Sequence, residues 1–355
     1  MKRFFCQCGH EVFFQNYSCE HCGRDLAYDP VARTMWSGEI RSDSMFYTHL
    51  SPVGEDIGFR LCNLRETEVK CNWLIGYGDS EEECQCVSCR TTRVIPDQNV
   101  DINIKRWRLL ERSKRTLIYS LLDMKLFSPI GSTTECLRFE FLEDQRSNPY
   151  VDIEHVLTGH NNGLITINAA EADEDFLHSM KAKMAERYRT LLGHFRHEVG
   201  HYYWKRLILE CNQLDAFREF FGDEREDYEH ALQYYYERGR LNHWQTRFIT
   251  SYASSHPHED WAETWAHYLH MVDTLETAVS YGLSVYEPKK NDFKDWFKEW
   301  GRVAQIMNAL NRSMGMADPY PFFLSPIVQG KLHFIHDTVQ NCNLTALPRP
   351  NSGVA

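Results

Sequence analysis

Nine of the twelve cysteines of this 355-residue chain lie before residue 90. Cys6-Gln7-Cys8-Gly9 and Cys19-Glu20-His21-Cys22-Gly23 form two close knuckles. Four thiolates at such spacing enclose one tetrahedral zinc, so a small module is built around a metal rather than around a large apolar core. Phe13 and Phe14 between the arms are expected to supply what core it has. A second set follows. Cys86 and Cys89 make a C-x-x-C knuckle that, with Cys62 and Cys71, offers a second zinc site and leaves Cys84 over. Disulfides are the competing account. The knuckle spacing and the crowding of thiols favour metal. Cys136, Cys211 and Cys342 are scattered and read as small buried hydrophobes or ordinary thiols.

The second constraint is His197-Glu198-Val199-Gly200-His201. It spells H-E-x-x-H, in which two imidazoles one helical turn apart grip one metal and the intervening glutamate takes a proton from a metal-activated water. The flanking runs Met184–Leu192 and Tyr202–Glu210 contain no proline and repeat apolar residues at helical spacing, so a long helix is expected here. The bland alternative is a charged amphipathic helix with solvated histidines. His194, one turn earlier, is a weaker candidate for the site.

A catalytic zinc needs a third protein ligand. Trp204 and Leu207 stand where an extended H-E-x-x-H-x-x-G-x-x-H motif would need glycine and histidine, so the ligand must come from elsewhere. The stretch from Ser254 to His270 is the best source. Pro257 suits the first turn of a helix, with Ser255 or His256 as cap. Glu259, Glu263 and His267 then share a face, with His270 close by. Glu259 is the preferred third ligand and Glu263 an acceptor for a ligand histidine N–H. His256, His258, His267 and Glu263 remain fallback ligands. In zinc peptidases of this kind a phenol just upstream of the glutamate ligand can donate to the developing oxyanion, and Tyr252 occupies that place. Against this stands the reading of Glu259 and Asp260 as simple complements to a helix dipole.

The formal charge of −11 opposes nonspecific nucleic-acid binding, and any basic patch must be local, as around Lys105-Arg106-Trp107-Arg108. After basic Met1-Lys2-Arg3 the apolar run is too short for an export signal, and no stretch is long enough to cross a membrane. Together with reduced thiols this leads to a cytoplasmic expectation. The fold class expected is α+β: zinc-ribbon modules at residues 1–28 and 29–97, then a mainly helical zincin-like domain over 98–342 and a disordered tail over 343–355. Within the third segment helices are expected at 103–124, 227–238, 292–312 and 327–339. Strands are expected at 137–141 and 164–168, the second poised to bind an extended peptide through its backbone.

Several of these stretches together resemble the family of bacterial zinc-binding metallopeptidases that carry an N-terminal zinc ribbon. They are Cys19-Glu20-His21-Cys22-Gly23, Cys71-Asn72-Trp73-Leu74, Cys86-Val87-Ser88-Cys89-Arg90, Ile95-Pro96-Asp97, the run from Leu191 to Trp204 and the run from His256 to Glu263. The resemblance spans nearly the whole chain. It implies a gluzincin-like arrangement with His197, His201 and Glu259 on a catalytic zinc and Glu198 as base, beside two structural zincs. The C-x-C arm and the extra Cys84 depart from the usual ribbon pattern. The expected substrate is a peptide or protein, with a protein partner for the ribbons also possible. The rival reading from another class is a noncatalytic zinc-ribbon adaptor on a helical scaffold, and a third is a hydrolase of a non-peptide bond.

Overall fold

The computed structural model describes residues 1–49, 56–128, 137–146, 148, 150–177, 190–288 and 290–341. The expectations for Met184–Arg189, Cys136, Cys342 and the tail after residue 342 fall outside these. The architecture is α+β, a β-rich cysteine-containing region followed by a mainly helical one. By packing, the described residues form two units, one from Lys2 to Asp173 and one from Glu174 onward that also takes in Met1.

In the first unit a short hairpin, β1 (Phe4–Phe5) with β2 (Glu11–Val12), carries the first two cysteines in its turn. An antiparallel sheet follows, in the order β3 (Asp25–Asp29), β4 (Thr34–Ile40), β5 (Met45–His49) and β6 (Asp56–Arg60). Along β4 and β5 buried residues alternate with more exposed ones, as a sheet with one covered face requires. Phe14 is buried and meets Tyr28 at 5.0 Å and Tyr119 at 4.9 Å between ring centroids. Phe13, expected to share that core, is 65% exposed and opens a turn in which its N–H donates to Asn16 Oδ1 at 2.6 Å.

β7 (Thr92–Val94) leads into α1 (Asp101–Asp123), which returns to β8 (Arg138–Leu142). Parallel strands need such a crossover, and β7 and β8 are parallel. β9 (Gly159–Asn161) and β10 (Leu164–Asn168) complete a sheet in the order β7-β8-β10-β9. Both edges of β10 are therefore taken, by β8 and β9, and it has no free backbone for an incoming peptide. The basic run on α1 is divided, with Lys105 and Arg108 exposed. Arg106 and Trp107 are buried, and Arg106 pairs with Asp173 at 2.7 Å.

The second unit is helical: α2 (Leu191–Trp204), α3 (Leu214–Phe221), α4 (Tyr228–Arg238), α5 (Pro257–Ser280), α6 (Phe293–Ser313) and α7 (Pro326–Asn341). α2 begins at a cap, with the Thr190 side chain accepting from the Gly193 N–H at 3.0 Å, so the expected long helix does not run unbroken into Leu191. Its last turns loosen into a π-helical segment, Lys205–Leu209. The core lies where α2 crosses α5. Phe195, Val199 and Tyr203 face Trp261, Ala262 and Trp265, all buried, and Tyr203 stacks on Trp265 at 5.1 Å. At one end the Arg196–Asp273 ion pair clasps the two helices. At the other, Asp260 pairs with Lys331 of α7. Among the described residues no helix is long and apolar enough to cross a membrane.

Candidate metal centre

The α2–α5 crossing positions the H-E-x-x-H residues. α5 starts as the sequence suggests, with Pro257 in its first turn and the His256 side chain as cap, accepting from the His258 N–H at 3.1 Å. One and two residues later the helix turns Glu259 and Asp260 to different sides. Asp260 meets Lys331, and Glu259 meets the motif histidines.

His197, His201 and Glu259 bring one candidate ligand atom each to within 4.8 Å of one another. His197 Nε2 lies 3.2 Å from His201 Nε2 and 3.0 Å from Glu259 Oε2. Ligands at about 2.0–2.1 Å around a tetrahedral zinc are about 3.3 Å apart, so these separations suit such an ion. Glu259 is buried with its Oε2 facing His197 Nε2 at 3.0 Å, and a buried carboxylate is costly unless a proton or a cation meets it there.

The electrostatics point the same way. Burial would lower the His197 pKa, but its hydrogen bonds to the Glu259 and Glu263 carboxylates, and their charge, outweigh it and raise the group well above its ordinary value. Burial lowers His201, with the charge of His197 adding to the effect. Burial raises Glu198, but His194 and the two motif histidines outweigh that and hold it below the usual carboxylate range. A divalent cation bound here would take the place of the proton on His197 and offset the buried carboxylates.

Around this trio the other expected residues divide. Glu263 Oε1 sits 2.6 Å from His197 Nδ1, on the ring nitrogen turned away from the trio. His194 Nε2 lies 3.2 Å from Glu198 Oε1. The Tyr252 ring is centred 6.0 Å from that of His197, and burial together with the charge of Glu259 keeps its phenol protonated. The fallback ligands are engaged elsewhere. His256 Nε2 donates to the Glu226 carbonyl at 3.1 Å, His258 packs edge-on against Trp204, and His267 Nδ1 lies 3.0 Å from Tyr320 Oη. Sequence reasoning missed Tyr228, whose hydroxyl donates to Glu259 Oε1 at 2.7 Å.

The thiolates gather into two groups, Cys6, Cys8, Cys19 and Cys22, and Cys62, Cys71, Cys86 and Cys89. Sulfur separations of 3.5 Å (Cys6–Cys22, Cys71–Cys89) and 3.8 Å (Cys8–Cys19, Cys71–Cys86) are far beyond a disulfide bond. They match the edge of about 3.8 Å expected when four sulfurs surround zinc at about 2.3 Å. The second group is wholly buried, and the buried Arg115 of α1 faces Cys71, Cys86 and Cys89. In the first, Cys22 is exposed and Cys8 partly so. Cys84 stands apart, exposed, 3.5 Å from Asn63 Nδ2.

Residues 103–338 match the family model described as "Putative zinc-binding metallo-peptidase". The chain belongs to this zinc-binding metallopeptidase family. Residues 3–100 match a zinc-ribbon domain, as the paired thiolate groups lead one to expect of this member. Uncharacterized proteins of Mycobacterium tuberculosis and Mycobacterium bovis are 36% identical to it over 353 residues, covering 96% of this chain and 95% of theirs. No solved structure matches.

Proposed function

We propose that this family member is a zinc-dependent peptidase of gluzincin type, with His197 Nε2, His201 Nε2 and Glu259 Oε2 as metal ligands. The observation that carries this reading is the convergence of His197, His201 and the buried Glu259, with Glu259 Oε2 3.0 Å from His197 Nε2. A zinc ion there supplies Lewis acidity and makes a water acidic near neutral pH. Glu198, one residue after the first ligand and held ionised, takes the water's proton and later delivers it to the leaving nitrogen. Glu263 orients His197 by accepting from Nδ1. Tyr252, protonated beside the centre, donates to the oxygen that gains charge. The two thiolate groups hold structural zinc, and the substrate is a peptide or protein.

The test is to purify the full chain, count zinc, and compare it with Glu198→Gln on a peptide library. Three zincs in both proteins and loss of cleavage in the variant is the expected result. Equal cleavage by the variant removes Glu198 from this role. Two zincs, both on thiolates, would leave an adaptor protein in place of an enzyme.

A further inference from the structure

Tyr228 sits 31 residues before Glu259, on a helix that owes little to the core. α4 has no buried residue. It forms for local reasons. Asp227 caps it, accepting from the His230 N–H at 2.9 Å, and Gly239 ends it at φ 73°. Gly222, at φ 101°, closes the preceding helix and begins the connection. Two phenols of α4 reach inward: Tyr228 to Glu259 Oε1 at 2.7 Å, and Tyr235 to Ser251 Oγ at 3.2 Å.

The two oxygens of Glu259 are thus in different circumstances. Oε1 receives the Tyr228 hydroxyl at 2.7 Å and lies 3.5 Å from His201 Nε2, while Oε2 faces His197 Nε2 at 3.0 Å. A free carboxylate can approach a zinc ion through both oxygens and fill the position that a catalytic site keeps open for water. A phenol bonded to one oxygen opposes that second contact. We propose that Tyr228 is a positioning residue for the metal centre, holding Glu259 to one ligating oxygen and coupling the α4 arm to metal occupancy. The inference rests on the reading of His197, His201 and Glu259 as zinc ligands. It does not require that the bound zinc cleave peptides.

Coupling follows from linkage. An arm with so little buried surface belongs to the easily opened part of the molecule, and one of its tethers ends on a metal ligand. Whatever zinc does to fix Glu259 must steady the arm. Detaching the tether must weaken zinc by the same free energy.

The experiment compares the full-length protein with Tyr228→Phe and Tyr235→Phe. Each is titrated with dipicolinate while retained zinc is counted, and trypsin cleavage at Arg238 and Arg240 is timed with and without the chelator. Tyr228→Phe should lose the non-thiolate zinc at about 10- to 100-fold lower chelator. Its thiolate zinc should be unchanged, and cleavage in the arm should no longer respond to zinc. Cobalt in place of that zinc should absorb more weakly in the variant, as a carboxylate bound through both oxygens raises the coordination number. Tyr235→Phe should speed cleavage without the loss of affinity. Unchanged affinity in Tyr228→Phe, or equal losses in both variants, overturns the proposal. If zinc binding behaves as expected but the wild type cleaves no peptide, the peptidase reading fails and the role of Tyr228 stands. A wild type without a third zinc overturns both.

Discussion

The indole nitrogen of Trp261 donates to the backbone carbonyl of Gly200 at 2.9 Å. This bond joins α5, which carries Glu259, to the motif helix one residue before His201. The helices meet this closely because residue 200 has no side chain. A Cβ there would lie 3.1 Å from Ala262 Cα and 3.1 Å from Trp265 Cδ1. Gly200→Ala gains up to about 1 kcal/mol in helix propensity. Overpacking against backbone costs about 1–3 kcal/mol and should win. The variant is expected to unfold at a lower temperature and to hold the non-thiolate zinc more weakly, since α5 must back away with Glu259. A more stable variant with unaltered zinc affinity would refute this account of the crossing.

The contact of Glu263 with His197 Nδ1 carries the second prediction. A ligand histidine is aimed and made more basic by the acceptor on its far nitrogen. Glu263→Ala should weaken zinc at the His197–His201–Glu259 centre by about 10- to 100-fold while leaving both thiolate groups loaded. Zinc competition with a chromophoric chelator reads this directly. An affinity within a factor of two of the wild type would show that the carboxylate does not orient the ring.

What was legible in the sequence was chemistry held at short spacing. His197 and His201 share a face because any helix puts residues four apart there. The knuckles at Cys6–Cys8, Cys19–Cys22 and Cys86–Cys89 are turns whose length decides what they can enclose. Glu259 could be singled out from its neighbours because Pro257 marks where its helix starts, which sets the direction of each later side chain. Contacts that depend on tertiary packing were not legible. Tyr228 reaches Glu259 only because of the path taken between α3 and α5, and nothing around Tyr228 in sequence signals a metal site. Within the basic run Lys105–Arg108, nothing nearby in sequence marks Arg106 as the basic residue that is buried, because its partner Asp173 lies far along the chain. β10 alternates like a half-covered strand, and that pattern says nothing about whether its edges are free.

The two thiolate groups should lose metal in a fixed order. Cys22 is exposed and Cys8 partly so, whereas Cys62, Cys71, Cys86 and Cys89 are all buried. A thiol-reactive mercurial must reach sulfur to displace zinc. Zinc release should therefore be biphasic, with the fast phase assigned to the first group and abolished by Cys22→Ser. The slow phase should accompany loss of structure around α1, since Arg115 is buried facing the second group and Glu111. Stripped of zinc, those thiolates would reprotonate and leave that cation with less to balance it. A single release phase, or early modification of Cys86 and Cys89, would contradict the ordering.

His267 offers a pH dependence that does not run through the metal. Burial is the main cause that lowers its pKa to about 4, with Arg196 acting in the same direction against Glu263. In the unfolded chain the group titrates near its ordinary 6.5. Between those values the unfolded state binds a proton that the folded state refuses, so stability falls as pH drops from about 6.5 toward 4. At pH 5 the loss from this residue alone is about 2 kcal/mol. His267→Gln keeps a polar group near Tyr320, which lies 3.0 Å from the histidine, and removes the titration. With zinc saturating, thermal unfolding of both proteins from pH 7.5 to 5 should show a shallower decline for the variant. Parallel curves would mean that the histidine is already protonated in the native state or finds a new acceptor on charging, and the burial argument would be wrong.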